Sequence, residues 1–443
     1  MAEMEEIIAW RWTVRLIFVI LPPKGGLDMA LGLFLVPTLA AWLCLGALFL
    51  IRAKLDRKAL YICLAVLVAA LALRFPLLTH ETSDYRDFLS PWVRFFRENG
   101  GFLALREPLG DYNVPYLYFL AAFSYFPAAL DLYLIKVLSL GFDLLLAFTG
   151  ARLAQRVFQK KWTYPLAFSL LLLLPTVVLN GAYWGQCDSL YAALTLLALT
   201  DALEEHPARG VVWLGLAFSF KLQTIFLIPL WCVLWYSKRL KFRHLCLFPV
   251  SYLAAIFPAL LLGRPLLSIL GVYFKQAGQY HDRLTLNAPS VFALIPHGAQ
   301  VNADLLAKLG ILAAFLLVLG LLAWLFCYRR RLTRSHLLTA ALILAIGVPF
   351  LLPYMHDRYF FLADALSVVW AIGAYHRTPV PACVQVASYG GYHAYLTLRY
   401  AFPMAWGAWL LLAALVAVTV SLGLSLRTAD SAPSEDSPPT AQP

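Results

Sequence analysis

Repeated apolar runs long enough to cross a lipid bilayer constrain this chain more than any other feature. Examples are Leu31–Ile51, Leu60–Leu78, Leu166–Leu179, Ile311–Phe326 and Trp406–Leu424. A spanning helix needs about 20 predominantly apolar residues, so the shorter runs draw on their flanks to complete a crossing. Backbone polar groups inside lipid must be satisfied within their own segment, which makes the spans α-helical. Only 13% of residues are charged, against about a quarter in a soluble domain. The expected fold is therefore all-α, a polytopic transmembrane bundle of about 11–13 helices at roughly 20 residues per span. Residues 29–426 form this bundle. Residues 1–28, a short Arg- and Trp-bearing stretch ending in Pro22-Pro23, fit an interfacial segment, and Met29 fits an alternative start. Acidic first residues argue against a cleavable signal peptide. The tail 427–443, rich in Ser, Pro, Asp and Glu, is expected to be disordered.

The formal charge is +11, but its placement excludes a nucleic-acid partner. Basic residues cluster between apolar runs, at Arg52 to Lys58, Arg152 to Lys161, Lys238 to Arg243 and Arg329 to Arg334. The positive-inside rule produces that pattern, with anionic membrane lipids as the partner. The seven cysteines form no CxxC pair and read as small apolar residues.

Taking the basic loops as cytoplasmic puts the segments 79–113, 183–188, 276–304 and 354–359 on the opposite face. The polar motifs thus gather outside. Phe88, Trp92, Phe95 and Phe96 recur at helical spacing against Arg94, Arg97 and Glu98. This predicts an amphipathic helix over 88–98, in the headgroup plane of the first large outer loop. Gly210–Tyr236 is too short for two crossings and reads as a pair of short helices with Phe220-Lys221-Leu222-Gln223 at the tip. Between Asn113 and Lys160 the parity fails. Either Pro115–Leu130 does not fully span, or Lys136 to Asp143 breaks the next run. Lys136 and Asp143, seven apart on one helical face, are expected to pair with each other.

Five motifs occur in order: Asp84-Tyr85-Arg86-Asp87-Phe88 with Trp92; Asp111-Tyr112-Asn113-Val114-Pro115-Tyr116; Trp184-Gly185-Gln186-Cys187-Asp188-Ser189; Phe220-Lys221-Leu222-Gln223; and His356-Asp357-Arg358-Tyr359. Their order and common sidedness resemble the GT-C superfamily of membrane glycosyltransferases over about residues 60–400. They most resemble bacterial proteins related to the GPI mannosyltransferase of the PIG-V type. The additional N-terminal span and Asp357, where Glu is commoner, depart from the pattern.

The resemblance implies an inverting enzyme that moves a mannose-like sugar from a polyprenyl-phosphate-linked donor to a lipid or glycan acceptor. It implies a multi-pass protein of the cell membrane with its site on the extracytoplasmic face and a catalytic acid in the first outer loop. Asp84 is the expected base and Asp87 the runner-up. A carboxylate within hydrogen-bond reach of the attacking hydroxyl is what the chemistry needs. Arg358, His356 and Lys221 are expected to bind the donor phosphate. Asp111, Tyr112, Trp184, Gln186, Asp188 and Gln223 are expected to contact substrate, with Trp184 stacking on sugar. Each also has a plain structural reading: an N-cap with proline for Asp111 to Pro115, an interfacial turn for Trp184 to Asp188, and a self-paired turn for His356 to Arg358.

No cofactor is expected. A divalent metal held by His356-Asp357 with Asp84 or Asp188 stays open as the alternative, because the spacing is not diagnostic. Two other function classes compete. A secondary transporter would show an inverted repeat with polar groups at mid-membrane. An O-antigen polymerase or acyltransferase would carry a large loop with Arg and His motifs and no early acidic loop.

Overall fold

The computed structural model describes residues 26–204, 206–278, 283–296 and 298–431. Most of residues 1–28 and all of 432–443 therefore lie outside the described residues. The helices, in chain order, are α1 Gly26–Arg52, α2 Arg57–Arg74, α3 Ser90–Glu98, α4 Val114–Phe123, α5 Asp131–Phe158, α6 Thr163–Leu172, α7 Pro175–Val178, α8 Asp188–Leu203 and α9 Pro207–Phe220. They continue as α10 Ile228–Tyr236, α11 Leu247–Leu261, α12 Leu266–Gly278, α13 Ala303–Cys327, α14 Arg334–Leu351, α15 Phe361–Ala371, α16 Pro379–Thr397 and α17 Met404–Ser431. Two short strands, β1 Thr285–Leu286 and β2 Met355–His356, pair in parallel. The architecture is all-α and polytopic, as the apolar runs require.

Among the described residues seven helices are long and apolar enough to cross a membrane, or eight if one bent pair is a single span. That pair is Thr163–Leu172 with Pro175–Trp184, bent by 47°. Pro175 opens the second segment, and proline cannot continue the hydrogen-bond ladder of the first. The expected 11–13 crossings are thus not matched by span-length helices alone. Val114–Phe123, Leu222–Tyr236 and Phe361–Ala371 are apolar but short. The parity problem resolves on the first alternative: α4 has ten residues, whereas α5 runs unbroken for 28 through both Lys136 and Asp143. The tail boundary shifts too, because α17 stays helical past Arg427 to Ser431.

Helix starts follow local chemistry. Asp56 caps α2 by accepting from Ala59 N at 2.9 Å. Asn302 caps α13 through Leu305 N at 3.0 Å. Thr333 and His336 form a reciprocal capping box at α14. Each satisfies backbone donors that would otherwise be orphaned at a helix start.

The chain divides into two compact units. The first comprises Met1–Thr224 with His244–Tyr280, and the second Ile225–Arg243 with His281–Pro443. In the first, α5 packs along α8, α8 along α9, and α9 along α11. Its centre holds charge: Arg74 Nη2 lies 3.2 Å from Asp143 Oδ2, both fully buried. Arg74 also donates to Leu172 O at 2.8 Å, and Ser189 Oγ donates to Asp143 Oδ1. Four helices are tied by one buried pair, whose desolvation cost demands this many partners. The expected Lys136–Asp143 pair does not form. Lys136 Nζ instead donates to Leu77 O at 2.8 Å and His80 O at 2.5 Å, capping the chain end that leads to Asp84.

In the second unit α14 and α15 are almost wholly buried and largely apolar, as a core helix should be. Around them pack α13, α16 and α17. Asp364 and Ser388 share the buried hydrogen bond between α15 and α16, at 2.8 Å.

Candidate functional site

Within the first unit, motifs far apart in sequence meet at one end of the α5–α8 pair. Thr82 Oγ1 donates to Trp184 O at 3.1 Å, pinning the acidic loop to the π-helical turn Leu179–Trp184. A second π-helical turn, Tyr85–Leu89, follows Asp84 directly. Such turns recur at functional sites because the extra residue re-aims side chains. Gly185 then adopts φ 80°, a conformation costly for any residue with a Cβ, and reverses the chain into α8.

The result is an enclosed Asp84. Trp184 Nε1 donates to Asp84 Oδ2 at 2.9 Å, and Gln186 Nε2 donates to the same oxygen at 2.5 Å. Tyr112 Oη donates to Gln186 Oε1 at 2.8 Å, which fixes the amide's orientation. Ser139 Oγ, from α5, donates to Gln186 O at 2.7 Å. Asp84 is thus oriented by two donors of one other motif, and Tyr112 of a third motif holds one of those donors in place. Asp87 is exposed on the π-helical turn and has no such partners among the described residues. The two acids of one short loop are therefore placed very differently.

Asp188 opens α8, where a negative charge suits the helix N-terminus. Asn180 Nδ2 donates to Asp188 Oδ2 at 2.7 Å, and Lys221 forms an ion pair with Asp188 Oδ1. Lys221 interrupts the chain between α9 and the following turn in extended conformation. Its ammonium lies 5.7 Å from the Tyr112 ring and 5.9 Å from the Tyr191 ring, within cation–π range. The lysine expected to need an anionic partner has a carboxylate from the protein itself.

Two expectations change. Trp184 is 1% exposed, so it presents no face for sugar stacking; its indole N–H is a positioning donor. The expected helix over 88–98 is seen as α3 over Ser90–Glu98, and Trp92, Val93 and Phe96 cluster with Tyr116, Leu117 and Leu120 of α4. Its apolar face is taken up by protein, so placement in the headgroup plane does not follow from it. Asn113 is the N-cap of α4, accepting from Val114 N at 2.8 Å. Its amide donates to Tyr252 and Tyr273 at 3.2 and 3.1 Å, the plain structural reading. Asp111 is exposed, and its carbonyl accepts from Gln276. Gln223 is buried, with Oε1 unpaired among the described residues.

His356 and Arg358 belong to the second unit. There, β2 docks on β1, Asp357 N donates to Leu286 O at 3.0 Å, and the His356 and Tyr359 rings lie 5.2 Å apart. Two expected outer segments, 276–304 and 354–359, are therefore joined by backbone pairing at Thr285–Leu286 and Met355–His356. Tyr400 Oη donates to Asn287 Oδ1 at 2.8 Å and adds the connection between α16 and α17 to the group. Among the described residues, no three His, Cys, Asp or Glu side chains are grouped as metal ligands.

Sequence reading missed Thr82, Ser139 and Asn180. Small polar residues in apolar helices give little signal beyond their scarcity there. It also missed His80, whose ring stacks on Tyr183 at 3.9 Å. Burial, with Lys136 and Arg86 nearby, pushes the His80 imidazole below its usual range.

At the far end of the same helices lies a separate ionic network. Arg152 and Arg156 grip Glu204, and Arg209 grips Asp201. Asp188 and Asp201 are thirteen positions apart on α8, about 20 Å along the axis. Within this unit, then, Asp84 and the basic stretch Arg152 to Lys161 occupy opposite ends of α5 and α8.

No protein-family model matches the chain, and no curated protein matches it.

Proposed function

We propose that the chain is an integral-membrane inverting glycosyltransferase. It would move a mannose-like sugar from a polyprenyl-phosphate donor to a lipid or glycan acceptor at the extracytoplasmic face. The observation that carries this reading is Asp84, enclosed and held by Trp184 and Gln186. One further motif behind the resemblance donates twice to that carboxylate, and a third supports it through Tyr112 and Gln186. In the reaction the acceptor hydroxyl attacks the anomeric carbon and passes its proton to Asp84. The new glycosidic bond forms as the old carbon–oxygen bond breaks, and the polyprenyl phosphate departs as an anion. His356 and Arg358 are proposed phosphate-binding groups, and Lys221 is a proposed phosphate-binding group that now pairs with Asp188. Asp111, Tyr112, Gln186, Asp188 and Gln223 keep their proposed substrate contacts. Asp87 is the alternative base.

The bias of Arg152 to Lys161 toward the end opposite Asp84 supports the extracytoplasmic placement. Counting the bent pair, Leu222–Tyr236 and Phe361–Ala371 as crossing elements brings the total to ten, one below the expected range.

The test is sugar transfer from a synthetic polyprenyl-phosphate donor in proteoliposomes. Asp84→Asn should lower turnover by about 10²–10⁴-fold while the protein still inserts and folds. Normal transfer by Asp84→Asn with a dead Asp87→Asn would move the base to Asp87. The buried Arg74–Asp143 pair is a feature a transporter would also display. Solute flux through the same vesicles without sugar transfer would select that reading.

A further inference from the structure

Arg264 is a buried cation that the glycosyl-transfer reading does not use. It sits in the turn between α11 and α12, after Gly263 at φ 97°. It is 2% exposed, yet its Nε and Nη1 have no hydrogen-bond partner among the described residues. Burial pushes the guanidinium below its usual value, and the nearby Tyr118 hydroxyl acts in the opposite sense. No described carboxylate pairs with it, in contrast to Arg74, Arg97, Arg152 and Arg209. A guanidinium taken out of water without a counter-ion is costly, so the position is built for an anion that comes from outside the chain.

The surroundings identify the anion's carrier. Leu261, Leu267 and Phe274 flank Arg264 in the chain and are 71%, 81% and 82% exposed. Phe257 and Leu266 are also exposed. Side chains this large and apolar, at the end of a helix of spanning length, meet acyl chains rather than water. Meanwhile Tyr252, Ile256, Ile269 and Tyr273 turn inward and hold α11 and α12 to the unit.

We propose that Arg264 and the apolar flanks of the α11–α12 turn form a binding site for an anionic membrane phospholipid. The phosphate would dock on the guanidinium, and the acyl chains would lie along Leu261, Leu267 and Phe274. Arginine suits this role because its planar fork matches phosphate oxygens bidentately and is only weakly hydrated. A lipid with no cation of its own would be preferred, because choline already neutralises the phosphate beside it. This inference does not depend on glycosyl transfer.

The full-length protein, purified and delipidated in detergent, supplies the test. Dioleoylphosphatidylglycerol, dioleoylphosphatidylcholine and inorganic phosphate are added separately, and bound lipid is counted by native mass spectrometry. The wild type should retain one phosphatidylglycerol in preference to phosphatidylcholine. Arg264→Gln should retain about tenfold less, the loss of one charge-assisted contact. Phosphatidylglycerol should also raise the melting temperature of the wild type and not that of Arg264→Gln, a difference that a purely structural arginine would not produce. Equal retention by variant and wild type overturns the site. So does equal retention of the two lipids. Displacement of the lipid by millimolar inorganic phosphate overturns the assignment to a lipid and leaves a soluble anion. Should Arg264→Gln fail to fold, Arg264→Lys replaces it, since lysine keeps the charge and loses the fork. Intermediate retention then supports the site, and undiminished retention overturns it.

Discussion

The indole N–H of Trp184 and the carboxylate of Asp84 meet at 2.9 Å across 100 positions of sequence. Gln186 reaches the same Oδ2 from two residues further on. A single turn, Trp184-Gly185-Gln186, thus presents two donors to one acid. Gly185, in the left-handed region, allows side chains on either side of it to converge.

That arrangement predicts a separable positioning effect. Trp184→Phe keeps most of the volume and removes the donor. Turnover should fall while donor KM changes little, because orientation of the proposed base and not ground-state binding is lost. Gln186→Ala should act in the same direction. Steady-state kinetics of both variants, read beside their melting temperatures, check it. An unchanged kcat in Trp184→Phe would remove the positioning role.

Breaking the buried pair in the core should be costly, and removing it whole should not. Arg74→Met leaves Asp143 uncompensated and is expected to destabilise by about 3–5 kcal/mol. Arg74→Leu combined with Asp143→Leu should recover much of that loss. Thermal unfolding in one detergent distinguishes these outcomes. A double variant as unstable as the single would show that Ser189 and the Leu172 carbonyl carry more of the coupling than the charges do.

His80 makes stability pH-dependent with a defined sign. Burial, then Lys136 and Arg86, depress its folded-state pKa. The unfolded chain therefore binds a proton near the ordinary value of about 6.5, while the folded protein resists it. In that window the unfolded state holds more protons, so stability rises with pH and declines as the pH falls below about 6.5. His80→Gln should flatten the acid limb of a melting-temperature profile and leave the neutral plateau in place. An unaltered acid limb would assign the effect to other groups.

The second unit supplies a contrast between the two proposed faces. Arg358→Ala and His356→Ala should impair transfer far more than Arg330→Ala, which lies in a basic loop. Arg358→Lys should restore little, since a lysine cannot form the bidentate fork. Donor affinity and turnover in purified variants decide this. Wild-type values in Arg358→Ala and His356→Ala would leave the strand pairing of β2 as the whole role of the segment.

The sequence by itself determined the all-α class and most span positions, because the bilayer allows few structures and an apolar run of sufficient length has one plausible use. It also determined the N-cap with proline within Asp111 to Pro115 and the break at Lys221, because these depend on residues a few positions apart. It singled out Asp84, Trp184, Gln186, Asp188 and Lys221 through their motifs. Only the tertiary structure decided how they are joined. Lys136 and Asp143 share one helical face, yet Asp143 belongs to Arg74 and Ser189, and Lys136 to two carbonyls. Buried charges choose partners by three-dimensional proximity and desolvation, and neither is written in spacing along a single helix. For the same reason Asp84 and Asp87, three residues apart and alike in sequence, differ in the folded chain: one faces Trp184 and Gln186, the other faces outward.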